Sequence, residues 1–167
     1  MNNKAHHTER GRERLVGGDL FAETDTIVIP IKTGGRTYGV LSRTIAARGV
    51  VIPTVAYESA HLLARSEHSS IVFVAFGDDS DLNFDPLRFE KHVTRCTEAC
   101  VLLAAKKKVK RIAMPLLGGN RGWEALPAMA LGVEQAVDLL DEKVVDDPPE
   151  IVFITDKAVD SATAGED

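Results

Sequence analysis

Two stretches of this chain place glycines and polar residues directly after an apolar run, an arrangement suited to holding anions. The first is Thr33-Gly34-Gly35-Arg36-Thr37, after Thr26-Ile27-Val28-Ile29-Pro30-Ile31. The second is Gly118-Gly119-Asn120-Arg121-Gly122, after Arg111-Ile112-Ala113-Met114-Pro115-Leu116-Leu117. Glycine lets the backbone approach a ligand closely and take positive φ. The N–H groups at the start of a following helix have no helical acceptor and favour negative charge. Two such loops side by side would clamp two linked phosphates. Each also reads as an ordinary strand-to-helix turn. Neither has the G-x-G-x-x-G of dinucleotide binding, and neither runs into the Gly-Lys-Ser/Thr of a P-loop. Arg36 and Arg121, one in each loop, suit phosphate contacts, since a guanidinium matches phosphate geometry, and Lys32 adds a cation. Solvated loop cations are the plainer alternative.

The remaining candidates for chemistry are weaker. Cys96 and Cys100 are the two cysteines of the chain. Their i,i+4 spacing puts both on one helix face, where small core residues are expected and a disulfide is not. A metal site needs more ligands than these and His92 supply, and His6-His7 lies in a polar tail. No metal and no cofactor are expected. Lys106-Lys107-Lys108 falls at a helix end, where cations complement the helix dipole.

These residues need a scaffold, and the apolar pattern supplies one. Unbroken β-branched runs predict buried strands over 26–31, 71–76, 111–117 and 151–154. Leu15-Val16 is a short apolar start, stopped by Gly17-Gly18. A short strand is expected over 50–52, ended by Pro53. Helical spacing predicts helices over 38–47 and 54–65. A long helix is capped by Asp85 with Pro86 in its first turn, and its inner face holds Phe89, Val93, Cys96, Cys100, Leu103 and Ala104. A last helix runs from Trp123 or Glu124 to Glu142, with Ala130, Val133, Ala136, Val137 and Leu140 inward. Strands alternating with helices imply a three-layer α/β/α domain with a mixed, largely parallel central sheet. The domain is expected over 13–157, between flexible tails at 1–12 and 158–167.

Composition bounds the function. The chain has 167 residues, 44% hydrophobic and 27% charged, with a formal net charge of -5. An acidic chain does not suit general nucleic-acid binding, which needs Lys and Arg against phosphates. A small anion held by backbone N–H groups remains compatible. The polar opening Met1-Asn2-Asn3-Lys4-Ala5-His6-His7 has no secretory character, and no apolar run reaches the length of a membrane span. A reducing, cytoplasmic setting is expected.

The order of these motifs resembles the macro domain family. Gly18-Asp19-Leu20-Phe21, then Asp25-Thr26-Ile27-Val28, then Gly34-Gly35 is similar to the family's opening. The run from Arg111 to Trp123 resembles its second loop, and Glu150-Ile151-Val152-Phe153-Ile154-Thr155-Asp156 its closing strand. The resemblance implies binding of ADP-ribose. Asp19 matches the acidic residue that accepts a hydrogen bond from the adenine amino group, and Leu20 and Phe21 border the adenine. Gly34 and Gly35 match the loop near the distal ribose. Gly118, Gly119, Asn120, Arg121 and Gly122 match the diphosphate loop, and Trp123 the aromatic beside the distal ribose. Thr155 and Asp156 fall near the adenine. Read apart from the family, Asp19 is a turn cap and Trp123 a core or surface anchor.

The chain also departs from the family. Ile29-Pro30-Ile31-Lys32 stands where many members have Asn-Ala-Ala-Asn, and Arg36-Thr37-Tyr38 where an acid is usual. The Gly-Asp-Leu-Phe opening is nearer to a branch that removes ADP-ribose from acidic side chains or DNA, but Asn120 cannot serve as that branch's loop acid. Hydrolysis would need a nucleophile or general acid near the distal ribose, and Lys32, Glu124 and Tyr38 are the candidates. Lys32 either attacks the ribose as a neutral amine or stays charged against phosphates. The expected function is therefore a reader, sensor or sequestering module for ADP-ribose or a derived nucleotide. An ADP-ribosyl hydrolase acting on protein or DNA is the alternative, and a degenerate fold used only for protein contacts is the third reading. Expected partners are ADP-ribose or a related adenine nucleotide, and ADP-ribosylated protein or DNA, with no membrane.

Overall fold

The apolar run over residues 26–31 lies inside the sheet, with a parallel strand on each side. A computed structural model describes residues 13–17, 26–32, 36–37, 49–63, 71–75, 86–117, 122–143 and 148–155. The strands are β1 (Glu13–Gly17), β2 (Thr26–Lys32), β3 (Arg36–Thr37), β4 (Ala60–Leu63), β5 (Ile71–Ala75), β6 (Arg111–Pro115) and β7 (Glu150–Thr155). They form one sheet in the order β1-β7-β6-β2-β5-β4, with β3 paired to β2 beside that path. Residues 26–31 of β2 and all five of β5 are buried. Such strands need apolar side chains on both faces, and β-branched residues fit the pleat.

β1, β7, β6, β2 and β5 are mutually parallel, while β3 and β4 run antiparallel to β2 and β5. The mixed, largely parallel sheet expected from the sequence is therefore present. One sheet face carries two helices, α1 (Pro86–Lys106) and α2 (Gly122–Lys143). Val28, Val74, Met114 and Phe153 of the sheet meet Phe89 and Val93 of α1 and Met129 and Val137 of α2 in that core. The other face buries Ile27, Ile29, Ile31 and Phe73 beneath Val55, with Val50, Ile52 and Leu63 packed at the side. The helix expected over 38–47, the cap Asp85 and both tails lie outside the described residues.

α1 begins at Pro86, as expected of a residue that donates no N–H. Of its expected inner face, Phe89, Val93, Cys96, Cys100 and Ala104 are buried and Leu103 is half-buried. Its C-terminus is a Schellman motif. Val109 N–H donates to the Ala104 carbonyl at 2.9 Å and Lys108 N–H to the Ala105 carbonyl at 3.0 Å. Lys108 takes the left-handed position at φ 59°, and half-buried Val109 supplies the hydrophobic contact that accompanies this cap. The lysine run is thus a solvated helix end. α2 begins one residue before the earlier of its two expected starts. Val133, Ala136, Val137 and Leu140 are buried and Ala130 is half-buried.

Three expectations are corrected. No strand forms over 50–52: Val50 and Ile52 are half-buried against the second core and Val51 is 83% exposed, so the segment packs by alternate side chains without a ladder. The helix expected over 54–65 is a turn at Tyr57–Glu58 followed by β4. Glu58 has φ 57°, which a right-handed helix excludes. The edge of β5 supplies β4 with a registered partner from Ala60↔Val74 to Leu63↔Ile71. Tertiary pairing overrides the weak helical spacing here. The loop expected over 33–37 is shortened, because Arg36 and Thr37 fold back on Lys32 and Ile31 as β3.

α1 and α2 cross at Gly132. A Cβ there would stand 2.6 Å from the Thr94 carbonyl oxygen and 2.8 Å from the Thr97 Cβ. Close by, the Thr94 hydroxyl donates to the Ala128 carbonyl at 3.1 Å. Gly132→Ala gains about 1 kcal/mol of helix propensity. It must also push two helix backbones apart, an overpacking that costs about 1–3 kcal/mol. The clash wins, and urea unfolding of Gly132→Ala should give a midpoint below that of wild type. An equal or higher midpoint would refute the close crossing.

Both cysteines are free and buried. Burial pushes the Cys100 thiol up from 9.0 to about 12. Cys96 is also raised well above 9.0, by burial first and then by Cys100 and Glu58. The folded state therefore holds thiol protons that the unfolded state releases. This contribution to stability is whole below the unfolded thiol pKa and is lost as pH rises from there through the raised folded values, about 12 for Cys100. Unfolding free energy should fall between about pH 8 and about pH 10. The fall should be shallower in the Cys96→Ala/Cys100→Ala double variant, and identical slopes would contradict the burial.

Candidate functional site

Five parallel strands share one carboxyl edge, and their last residues mark it. In spatial order these are Gly17 of β1, Thr155 of β7, Pro115 of β6, Lys32 of β2 and Ala75 of β5. The chain leaves β2 toward β5 and leaves β6 toward β7, in opposite directions along the sheet. Between β2 and β6 lies the topological switch point, where open α/β sheets bind ligands outside the strand ends.

The pairing of these two strands is incomplete. β2 is registered with β5 over five residues, from Ile27↔Ile71 to Ile31↔Ala75. With β6 its register covers Thr26↔Ile112 and Ile27↔Ala113 and goes no further. Pro30 and Pro115 stand in the facing carboxyl halves, and proline brings no N–H to a ladder. A ladder holds strands about 4.8 Å apart. β3 takes up that edge of β2 again at Ile31 and Lys32, and the place for a ligand crevice is outside the carboxyl ends of β2 and β6.

The expected site residues distribute around this crevice. Lys32 closes β2 and is half-buried. Arg36 is its register partner in β3, so the backbone juxtaposes two basic residues at one side of the opening. Gly122 and Trp123 are the first two residues of α2, which follows β6. Thr155 ends β7 and pairs with Gly17, the last residue of β1. Gly17 and Thr155, the last described residues before Asp19 and Asp156, therefore lie side by side. Glu124 is in the first turn of α2. Asp19, Leu20, Phe21, Gly34, Gly35, Tyr38, Gly118, Gly119, Asn120, Arg121 and Asp156 lie outside the described residues. The side chains of Arg36, Trp123, Glu124 and Thr155 are likewise not described.

Lys106, Lys107, Lys108 and Lys110 are exposed near the amino end of β6, away from the crevice. Arg111 there pairs with Glu150 at 3.7 Å. Among the described residues no group of three His, Cys, Asp or Glu side chains could hold a metal ion. No helix among them is long and apolar enough to cross a membrane.

One polar cluster on this edge escaped the sequence reading. β4 is antiparallel to β5, so the turn before it sits beside the carboxyl end of β5. From that turn the Glu58 carboxylate accepts from His92 Nδ1 at 2.6 Å and from Arg95 at 3.4 Å. His92 is only 2% exposed, and the Tyr57 ring stacks on it with centroids 5.0 Å apart. The i,i+3 spacing of His92 and Arg95 puts both on one side of α1, but nothing in the sequence ties them to Glu58.

No family model matches this chain, and no curated protein matches it. Solved structures do. The macrodomain of Oceanobacillus iheyensis with MES bound superposes with a TM-score of 0.68 at 15% identity, covering 98% of this chain and 93% of that one. The Trypanosoma brucei macrodomain in complex with ADP-ribose gives a TM-score of 0.56 at 17% identity, covering 93% of this chain and 68% of that one. An alphavirus chain described as P23pro-zbd gives 0.59 at 14% identity over 92% of this chain, which spans only 24% of that much longer protein. At such identities the likeness lies in the path of the backbone: the chain described here has the fold of a macrodomain.

Proposed function

We propose that this protein binds ADP-ribose, or a nucleotide derived from it, in the crevice between β2 and β6. The observation that carries this reading is the switch point between β2 and β6, with both glycine-rich stretches following the strands that flank it. The T. brucei macrodomain of the same fold was solved with ADP-ribose. In this reading Gly118, Gly119, Asn120, Arg121 and Gly122 grip the diphosphate through backbone N–H groups, aided by the positive end of α2. Gly34 and Gly35 close the other side. Asp19 accepts from the adenine amino group, with Leu20, Phe21, Thr155 and Asp156 around the ring, and Trp123 borders the distal ribose.

Lys32 and Arg36 distinguish the ligand. A lysine where an amide is usual and, in register with it, an arginine where an acid is usual add positive charge at the phosphate end. They favour a ligand at least as anionic as ADP-ribose, and they suit a module that holds its ligand rather than cleaves it. Two buried free thiols suit a reducing compartment, and we assign the protein to the cytoplasm.

Thermal unfolding tests the reading directly. ADP-ribose at about 100 times its dissociation constant should add roughly 2.7 kcal/mol, a rise of about 5–10 °C for a chain of this length. Asp19→Ala and Lys32→Ala should each weaken binding about tenfold or more, the worth of a hydrogen bond to a charged group. No shift with ADP-ribose or its cyclic isomers would end the proposal. Release of ADP-ribose from modified protein or DNA, lost in Lys32→Ala, would replace the binding module with a hydrolase.

A further inference from the structure

We propose that Glu58 is a positioning residue for the ligand crevice: through His92 and Arg95 it fixes the turn that holds the carboxyl end of β5, and with it the end of β2 that β5 supports. The inference rests on the ligand reading above for its functional half and on geometry alone for its mechanical half.

Glu58 is held in a left-handed conformation, φ 57°, which costs a non-glycine residue about 1–2 kcal/mol. Strain of that kind persists only where the surroundings over-determine it. Here they do. One carboxylate oxygen accepts from His92 Nδ1 at 2.6 Å and the other from Arg95 at 3.4 Å. A carboxylate only accepts, so the His92 proton facing it is on Nδ1. The Glu58 side chain is 15% exposed and that of His92 2%, so this contact is little screened by water. The Tyr57 ring lies over the imidazole, its plane inclined by 20°.

The residue after this turn delivers the effect. Ser59 accepts from the Ala75 N–H at 3.1 Å through its backbone carbonyl. The Ala75 carbonyl in turn accepts from the Cys96 thiol at 3.3 Å, one turn of α1 beyond His92. Ala75 is the last residue of β5, and its register partner in β2 is Ile31, next to Lys32. The chain thus leaves β5 from a point fixed on both sides, one strand from the basic mouth of the crevice. A cluster needed only to dock β4 could use apolar contacts at this edge. This one spends a strained backbone and a buried charge contact on the residue preceding Ser59.

Glycine adopts φ 57° freely, so Glu58→Gly removes the carboxylate and keeps the turn. The full chain is titrated calorimetrically with ADP-ribose as wild type, Glu58→Gly and Glu58→Gln, and the Ala75 amide is followed by hydrogen exchange in each. In Glu58→Gly, Ala75 should exchange faster and affinity should fall about three- to tenfold, the ordering cost of one or two side chains. Glu58→Gln, which still reaches His92, should recover part of both. Unchanged affinity at a lowered melting temperature would reduce Glu58 to a structural clamp and overturn the inference, as would an Ala75 exchange rate indifferent to the substitution. The wild-type titration judges the ligand reading separately: absence of binding there ends that reading, while the exchange comparison still decides whether the clamp holds Ala75.

Discussion

The whole arrangement depends on β2, which takes β5 along one edge and, on the other, β6 near its start and β3 near its end. Its register with β5 runs from Ile27 to Ile31, while that with β6 stops at Ile27. A central strand can lack a ladder partner over part of one edge. One paired on neither edge would not hold the sheet together. The side chains of β2 resolve this tension. Val28 enters the core beneath the helices, and Ile27, Ile29 and Ile31 the core on the other face. Burial on both faces keeps the strand in place where the backbone ladder gives out.

The helix layer answers to the same demand. α2 must begin at the crevice if its first N–H groups are to meet a ligand, and its position is set by its crossing with α1. The approach at Gly132 and the Thr94–Ala128 hydrogen bond leave little freedom for sliding, because the contacts run from backbone to backbone. Met129 adds a further tie, its sulfur accepting from the Leu117 N–H at 3.5 Å just where the chain leaves β6. Packing two turns into the helix thereby fixes both the helix start and the exit of the strand before it.

What could be read from the sequence was what periodicity encodes. The buried strands, the two long helices and the parallel character of the sheet follow from unbroken β-branched runs alternating with helical spacing. The segment 50–65 misled because its side chains obey two partners. Val50, Ile52 and Val55 pack on the sheet, and the apolar positions around Ala60 and Leu62 then repeat at strand spacing against β5. In a window of that length helix and strand spacing are not separable, and only the free edge of β5 decides between them. The site was legible as two glycine-rich stretches, but their adjacency is a property of strand order. Nothing local records that β6 inserts beside β2.

The Glu58 cluster marks a deeper limit of the same kind. Its members come from a turn and from a helix whose nearest contact spans 34 positions. Each looks ordinary in its own setting: a glutamate after a tyrosine, a histidine among helix residues. Their meaning arises only when β4 pairs with the edge of β5 and brings its preceding turn over α1. A histidine on the apolar side of a helix otherwise reads as a tolerated core residue, and here it is buried as such a residue would be. The difference lies in what meets it. A carboxylate held at positive φ has few reasons to be there unless its contact matters more than its strain, and the strand end beside it is next to β2 at the switch point.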